Sequence, residues 1–121
     1  MLTGCCALLI LRLICPKACE DRKLPVIVSV HGGAWVYGDK ELYQYYCMDL
    51  AQRGFAVVNF TYRLAPEHKF PAMIEDTNSV FTWVLANGDK YGFDLDHIFA
   101  VGDSAGAHNL STGIYMLYLK L

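Results

Sequence analysis

Ser104 stands in the pentapeptide Gly102-Asp103-Ser104-Ala105-Gly106. It follows the apolar run Ile98-Phe99-Ala100-Val101 and precedes a helix-compatible run over 107–119. A strand, a sharp turn with serine at its tip, then a helix is the setting in which Gly-x-Ser-x-Gly carries a nucleophile. The chemistry is attack of the hydroxyl on an acyl carbonyl through a covalent intermediate. A turn tight enough to project the hydroxyl leaves no room for side chains two residues to either side, which accounts for Gly102 and Gly106. The helix that follows offers free N–H groups and the positive end of its dipole where an oxyanion forms. Taken alone, the five residues also describe a Gly/Ser-rich loop before an ordinary helix.

A second group bears on the same chemistry. Val26-Ile27-Val28-Ser29-Val30 is short, apolar and β-branched, reads as a buried strand, and ends in His31-Gly32-Gly33-Ala34-Trp35. Consecutive glycines let backbone N–H groups face a ligand without side-chain obstruction, and a tetrahedral intermediate needs such donors. The expected donors are the amides of Gly32 and Gly33, with that of Ala105, the residue after the nucleophile.

These groups need a scaffold. Residues 39–53 read as a helix in which Leu42, Tyr46, Leu50 and Arg53 recur at near-helical spacing, with Tyr43, Cys47 and Ala51 beside them. Asp39 is its expected cap and Gly54 its end. Tyr43, Tyr45 and Tyr46 read as an aromatic packing face rather than a substrate platform. Residues 55–60 form the next strand, completing a βαβ unit of a parallel sheet. The loop over 62–71 is punctuated by Pro66 and Pro71, and Arg63 is expected to pair with Glu67, Glu75 or Asp76 to hold it. Pro71 opens a second helix whose apolar side carries Met73, Val80, Val84 and Leu85, with Ala72, Phe81 and Trp83, and which closes at Asn87-Gly88. Tyr91-Gly92-Phe93-Asp94 reads as a turn, and His97 as a surface residue at the entry to the strand near 98–102. Residues 8–15 read as an early strand and 16–23 as the turn out of it. Three unbroken apolar strands fit a sheet covered on both faces. Ligands of such sheets bind at the carboxyl ends of strands, so the two motifs meet at one edge.

With those residues in view, the chain resembles the hormone-sensitive-lipase-like esterases, the alpha/beta hydrolase fold-3 group. The resemblance rests on His31-Gly32-Gly33-Ala34-Trp35, Tyr62-Arg63-Leu64-Ala65-Pro66-Glu67, Phe70-Pro71 with Glu75-Asp76, and Gly102-Asp103-Ser104-Ala105-Gly106, in family order. It implies an α/β-hydrolase fold, here partial, with a mostly parallel sheet flanked by helices. It implies a cofactor-free serine hydrolase for short acyl esters, with Ser104 catalytic, Gly32, Gly33 and Ala105 as the oxyanion hole, and His31, Gly102, Asp103 and Gly106 supporting the motifs. Relatives carry an acid and then a histidine after the serine. Here no Asp or Glu follows Ser104. His108 lies on the elbow helix, where its side chain does not cross the cleft. The expectation is therefore one incomplete domain over 1–121, a front portion lacking the acid and the histidine. The alternatives are a non-catalytic ligand-binding module and an inactive fragment needing a complementing chain.

Composition excludes other classes. With 55% apolar and 18% charged residues a packed core is expected. A net charge of −2 without a basic cluster points away from nucleic acid. The apolar run near 7–14 is interrupted by Arg12 and is too short to span a bilayer. Leu2-Thr3-Gly4-Cys5 resembles a lipoprotein box, but no apolar segment precedes it. Cys5, Cys6, Cys15, Cys19 and Cys47 are odd in number and contain no Cys-x-x-Cys pair, which favours reduced thiols and a cytoplasmic setting. Neither they nor His31, His68, His97 and His108 have zinc-ligand spacing, so no metal is expected. The oligomeric state is not legible.

Overall fold

The computed structural model describes residues 10–16 and 22–119. Its elements are β1 (Ile10–Ile14), β2 (Leu24–Val30), α1 (Gln44–Gln52), β3 (Ala56–Thr61), α2 (Ala72–Ala86), α3 (Gly88–Tyr91), β4 (Phe93–Gly102) and α4 (Ala105–Leu119). They build a four-stranded sheet in the order β1-β3-β2-β4. β2 runs parallel to β3, with Val26 opposite Ala56 and Val30 opposite Phe60. It also runs parallel to β4, with Val26 opposite Ile98 and Val30 opposite Gly102. β1 pairs antiparallel with β3.

Alternation along the strands sorts the core into layers. Val26, Val28, Val30, Ala56, Val58 and Phe60 face α2 and α4, packing with Met73, Ile74, Val80, Val84 and Leu110. Val57 faces the other way and packs with Cys47 and Ala51 of α1. The expected partial, mostly parallel sheet with helices on both faces is what forms.

Several boundaries differ from expectation. The first helix starts at Gln44, not Asp39. The Asp39 carboxylate accepts the Glu41 N–H at 2.8 Å, an interaction that competes with helix. Lys40 is held on β3, its N–H donated to Thr61 Oγ1 and its carbonyl accepting from Asn59 Nδ2. The buried stripe of α1 is Cys47 and Ala51, while Leu42, Tyr45 and Tyr46 are exposed, so the tyrosines do not form one packing face. In α2, Leu85 is exposed and Ile74, Asp76 and Thr77 are buried instead. Tyr91 ends a helical turn, Gly92 is left-handed, and the last strand begins at Phe93, five residues early. Phe93 is buried and stacks on Tyr91, which draws it into the sheet opposite Leu24. β4 is not covered on both faces: Phe99 is 50% exposed. Arg63 behaves as expected, its backbone N–H and Nε donating to Asp76 and its Nη2 reaching Glu75. His97 lies at the surface beside Asp94.

Cys5, Cys6, Cys19, the Leu2–Cys5 box and most of the turn expected over 16–23 lie outside the described residues. Cys47 is buried, and burial pushes its thiol up. Among the described residues, no helix is long and apolar enough to cross a membrane, and no group of three or more His, Cys, Asp or Glu is placed to hold a metal ion.

Candidate active site

The register Val30–Gly102 brings the carboxyl ends of β2 and β4 side by side. From there β2 leads into the loop at His31 and β4 leads into the elbow at Asp103. Ser104 sits at the tip, exposed, with φ of 50°, a left-handed conformation a serine adopts only under constraint. The Asp103 carbonyl accepts the Gly106 N–H at 2.8 Å and the Ser104 carbonyl accepts the His108 N–H at 3.1 Å, so α4 begins at once. Gly106 permits this. A Cβ there would strike the Val30 carbonyl oxygen and lie 2.8 Å from that of His31. Ala105 opens α4, and its amide has no carbonyl one turn earlier in the helix to bond.

The loop after β2 is pinned one peptide at a time. The His31 carbonyl accepts the Tyr62 hydroxyl at 2.8 Å. Across the same peptide, the Gly32 N–H is donated to Asp103 Oδ1 at 3.1 Å. The next peptide is held by the His31 ring, whose Nδ1–H donates to the Gly32 carbonyl at 2.7 Å. A trans peptide points its N–H opposite to its carbonyl, so the Gly33 N–H is turned away from that ring. This corrects one expectation: the Gly32 amide is not a free oxyanion donor, because the elbow's aspartate holds it. Gly33 has φ of 131° and is followed by Ala34 at 51° and Trp35 at 64°. Its carbonyl accepts from Val36 and Tyr37, closing the loop on itself.

Two further contacts tie this loop to its surroundings. Trp35 Nε1 donates to Asn109 Oδ1 of α4 at 3.1 Å. The Trp35 carbonyl accepts the Ala65 N–H at 2.8 Å, so the Arg63-braced loop backs it. A cavity of about 320 Å³ opens beside it, lined by Ala34, Trp35, Ala65, Phe70, Met73 and His108.

His31 is a structural residue rather than a base. It has no exposed surface and stacks on Tyr62 with centroids 4.2 Å apart. Burial holds its basicity below the usual range, and its Nε2 has no partner to take up a proton's charge. Burial also pushes the Tyr62 phenol up to about 12. His108 is exposed and meets the edge of Trp35, with centroids 5.2 Å apart.

Two contacts at the site are not read from the sequence: that of Asn109 with Trp35, and that of Tyr43, which reads only as a packing residue, with Asp103. Tyr43 donates its hydroxyl to Asp103 Oδ2 at 2.8 Å, which is the main reason its phenol titrates above the ordinary value. The two residues are 60 positions apart, so no local pattern announces the contact.

Comparison with known proteins bears on this geometry. The family model BD-FAE matches residues 11–114. The chain belongs to the BD-FAE family. This BD-FAE chain has the α/β-hydrolase fold, and its relatives are hormone-sensitive-lipase-like esterases. It is 42% identical over 97 residues to Esterase LipI of Mycobacterium tuberculosis, covering 78% of this chain and 30% of the relative. It is 38% identical over 103 residues to Carboxylesterase NlhH of the same organism, covering 80% and 30%. Among solved structures, a bacterial heroin esterase superposes with a TM-score of 0.87 at 29% identity, over 93% of this chain and 35% of that one. The esterase of Pyrobaculum calidifontis gives 0.85 at 39% identity, over 93% and 36%. The BD-FAE chain thus spans about a third of the length of the proteins it matches.

Proposed function

We propose that this chain supplies the nucleophile and oxyanion half of a serine carboxylic-ester hydrolase. Ser104 attacks the acyl carbonyl, and the carbonyl carbon becomes tetrahedral. The Gly33 and Ala105 amides receive the developing negative charge, each worth about 3 kcal/mol in the transition state. Collapse expels the alcohol and leaves an acyl-enzyme at Ser104, which water hydrolyses to the free acid. The observation that carries this reading is the left-handed Ser104, set beside the glycine loop by a helix that starts against the Val30 carbonyl.

The acid that orients a histidine, and the histidine that takes the serine's proton, come from outside these 121 residues on this reading. His108 is turned to Trp35, and Asp103 is engaged by Gly32 and Tyr43. A short acyl ester is the substrate class proposed. Support comes from relatives described as a versiconal hemiacetal acetate esterase and as an esterase inhibited by a tributyrin phosphonate. No cofactor is required, and a cytoplasmic location is part of the proposal.

The test is labelling of the full-length protein with a fluorophosphonate, followed by peptide mapping. Label on Ser104, lost in Ser104→Ala together with hydrolysis of short p-nitrophenyl esters, is the expected result. Undiminished hydrolysis by Ser104→Ala would exclude the mechanism.

A further inference from the structure

Both oxygens of Asp103 are in use, Oδ1 accepting from the Gly32 N–H at 3.1 Å and Oδ2 from the Tyr43 hydroxyl at 2.8 Å. Two stretches distant in sequence converge there: the elbow, and the connection between β2 and α1, which contributes a residue from near each of its ends. We propose that Tyr43 is a positioning residue for ester hydrolysis, acting through Asp103 to fix the peptide that precedes the oxyanion donor. The proposal rests on the esterase reading above.

The physical reason lies in the glycines. Gly32 and Gly33 have no side chains to restrict their dihedrals, so their peptide planes are set by hydrogen bonds at the ends. The 31–32 peptide is gripped at its carbonyl by Tyr62 and at its N–H by Asp103. The Tyr62 grip is buried and secure. The Asp103 grip is exposed, where water competes for the carboxylate. A carboxylate held at one oxygen swings about its side-chain torsions, whereas one held at both does not. Tyr43 is half-buried and packs against the Cys47, Ala51 and Val57 cluster, so it is a firm second anchor. Losing it loosens the Gly32 N–H contact, and the direction of the following Gly33 N–H drifts. Displacement of a transition-state donor by a fraction of its bond length lowers turnover without removing ground-state binding.

The experiment uses the full-length protein and the variants Tyr43→Phe, Asp103→Asn, Asp103→Ala, the Tyr43→Phe/Asp103→Ala double variant and Ser104→Ala. Tyr43→Phe removes one oxygen atom from a half-buried ring. It is expected to lower kcat on a short p-nitrophenyl ester about tenfold with KM within about twofold. Amide-resolved hydrogen exchange is expected to show Gly32 exchanging about tenfold faster while Val28 and Val58 keep their protection. That combination separates positioning from general loosening. Asp103→Asn keeps an oxygen for Gly32 and offers its amide to the Tyr43 oxygen, so it retains more activity than Asp103→Ala. The double variant is expected to be no slower than Asp103→Ala alone, because the two residues act in series. An inactive Ser104→Ala beside a Tyr43→Phe with wild-type kcat and wild-type Gly32 protection overturns the positioning role and leaves the esterase reading standing. An active Ser104→Ala overturns the reading itself.

Discussion

β3 and β4 both run parallel to β2, one on each side, yet they end in different surroundings. In β3, Ala56, Val57, Val58, Asn59 and Phe60 have no exposed surface, closed in by α1 on one face and α2 on the other. In β4, Phe99 is 50% exposed and meets the edge of Phe55, with ring centroids 6.3 Å apart. On that open flank lies a cavity of about 370 Å³ lined by Ser29, Val30, Tyr43, Tyr46, Val101, Gly102 and Asp103. The candidate site straddles the border between the two. The closed side, through Tyr62, Arg63 and Asp76, backs the glycine loop; the open side carries the serine. A rigid backing behind the glycine loop and an approachable flank beside Ser104 suit the proposed site, completed from the flank.

The contrast can be broken at the border itself. Gly106→Ala places a methyl against the Val30 carbonyl, with backbone rather than a flexible side chain in the way. The expected loss is at least about 3 kcal/mol of folding free energy in urea denaturation. A loss under about 1 kcal/mol would mean that the elbow is not locked to β2. Next comes the closed side. Asp76→Ala strands Arg63, which gives it both its backbone N–H and its Nε, and costs about 2 kcal/mol by the same measurement. Because the Arg63 loop backs Trp35, activity should fall with it, by a smaller factor than stability.

The loop also carries a pH signature. Burial lowers the His31 pKa below 6.5 in the folded chain, whereas the unfolded chain titrates near 6.5. Between those values the unfolded state binds more protons, so the His31 contribution is present in full above about 6.5 and is lost as pH falls through the lowered folded value. Thermal melts across that window should show the decline, and His31→Gln should flatten it. The smallest effect on stability is expected on the open side. Phe99→Lys should change the unfolding free energy of the 121-residue chain by less than about 0.5 kcal/mol while raising its soluble yield, since an apolar sheet edge invites association. A monodisperse wild-type chain of this length, with no gain from Phe99→Lys, would show the flank to be harmless as it stands.

What was legible in the sequence follows the range of the interactions. β2, β3 and the serine turn are local patterns, apolar runs with a glycine close to one end, and they read correctly. The two motifs meet because parallel strands end on one side, which is also a general rule. The start of α1 departs from the sequence pattern because Asp39, a good cap, instead satisfies the Glu41 N–H while Lys40 is tied to β3. Phe93 reads as turn because its burial depends on Tyr91 and Trp83, not on alternation. The Gly32 amide reads as free because nothing near it in sequence announces Asp103, 71 positions away. Tyr43 reads only as a packing residue for the same reason, its partner Asp103 lying 60 positions away. Residue type and spacing report what a segment can form; they do not report which side chain from elsewhere arrives to occupy it.

The most direct test of the central claim is a crystal structure of the full-length protein with a phosphonate bonded to Ser104 Oγ. The expected result is a phosphonyl oxygen about 3 Å from both the Gly33 and Ala105 amide nitrogens, with the Gly32 amide still on Asp103. A phosphonyl oxygen out of hydrogen-bond reach of Gly33, or an adduct on another residue, would contradict it.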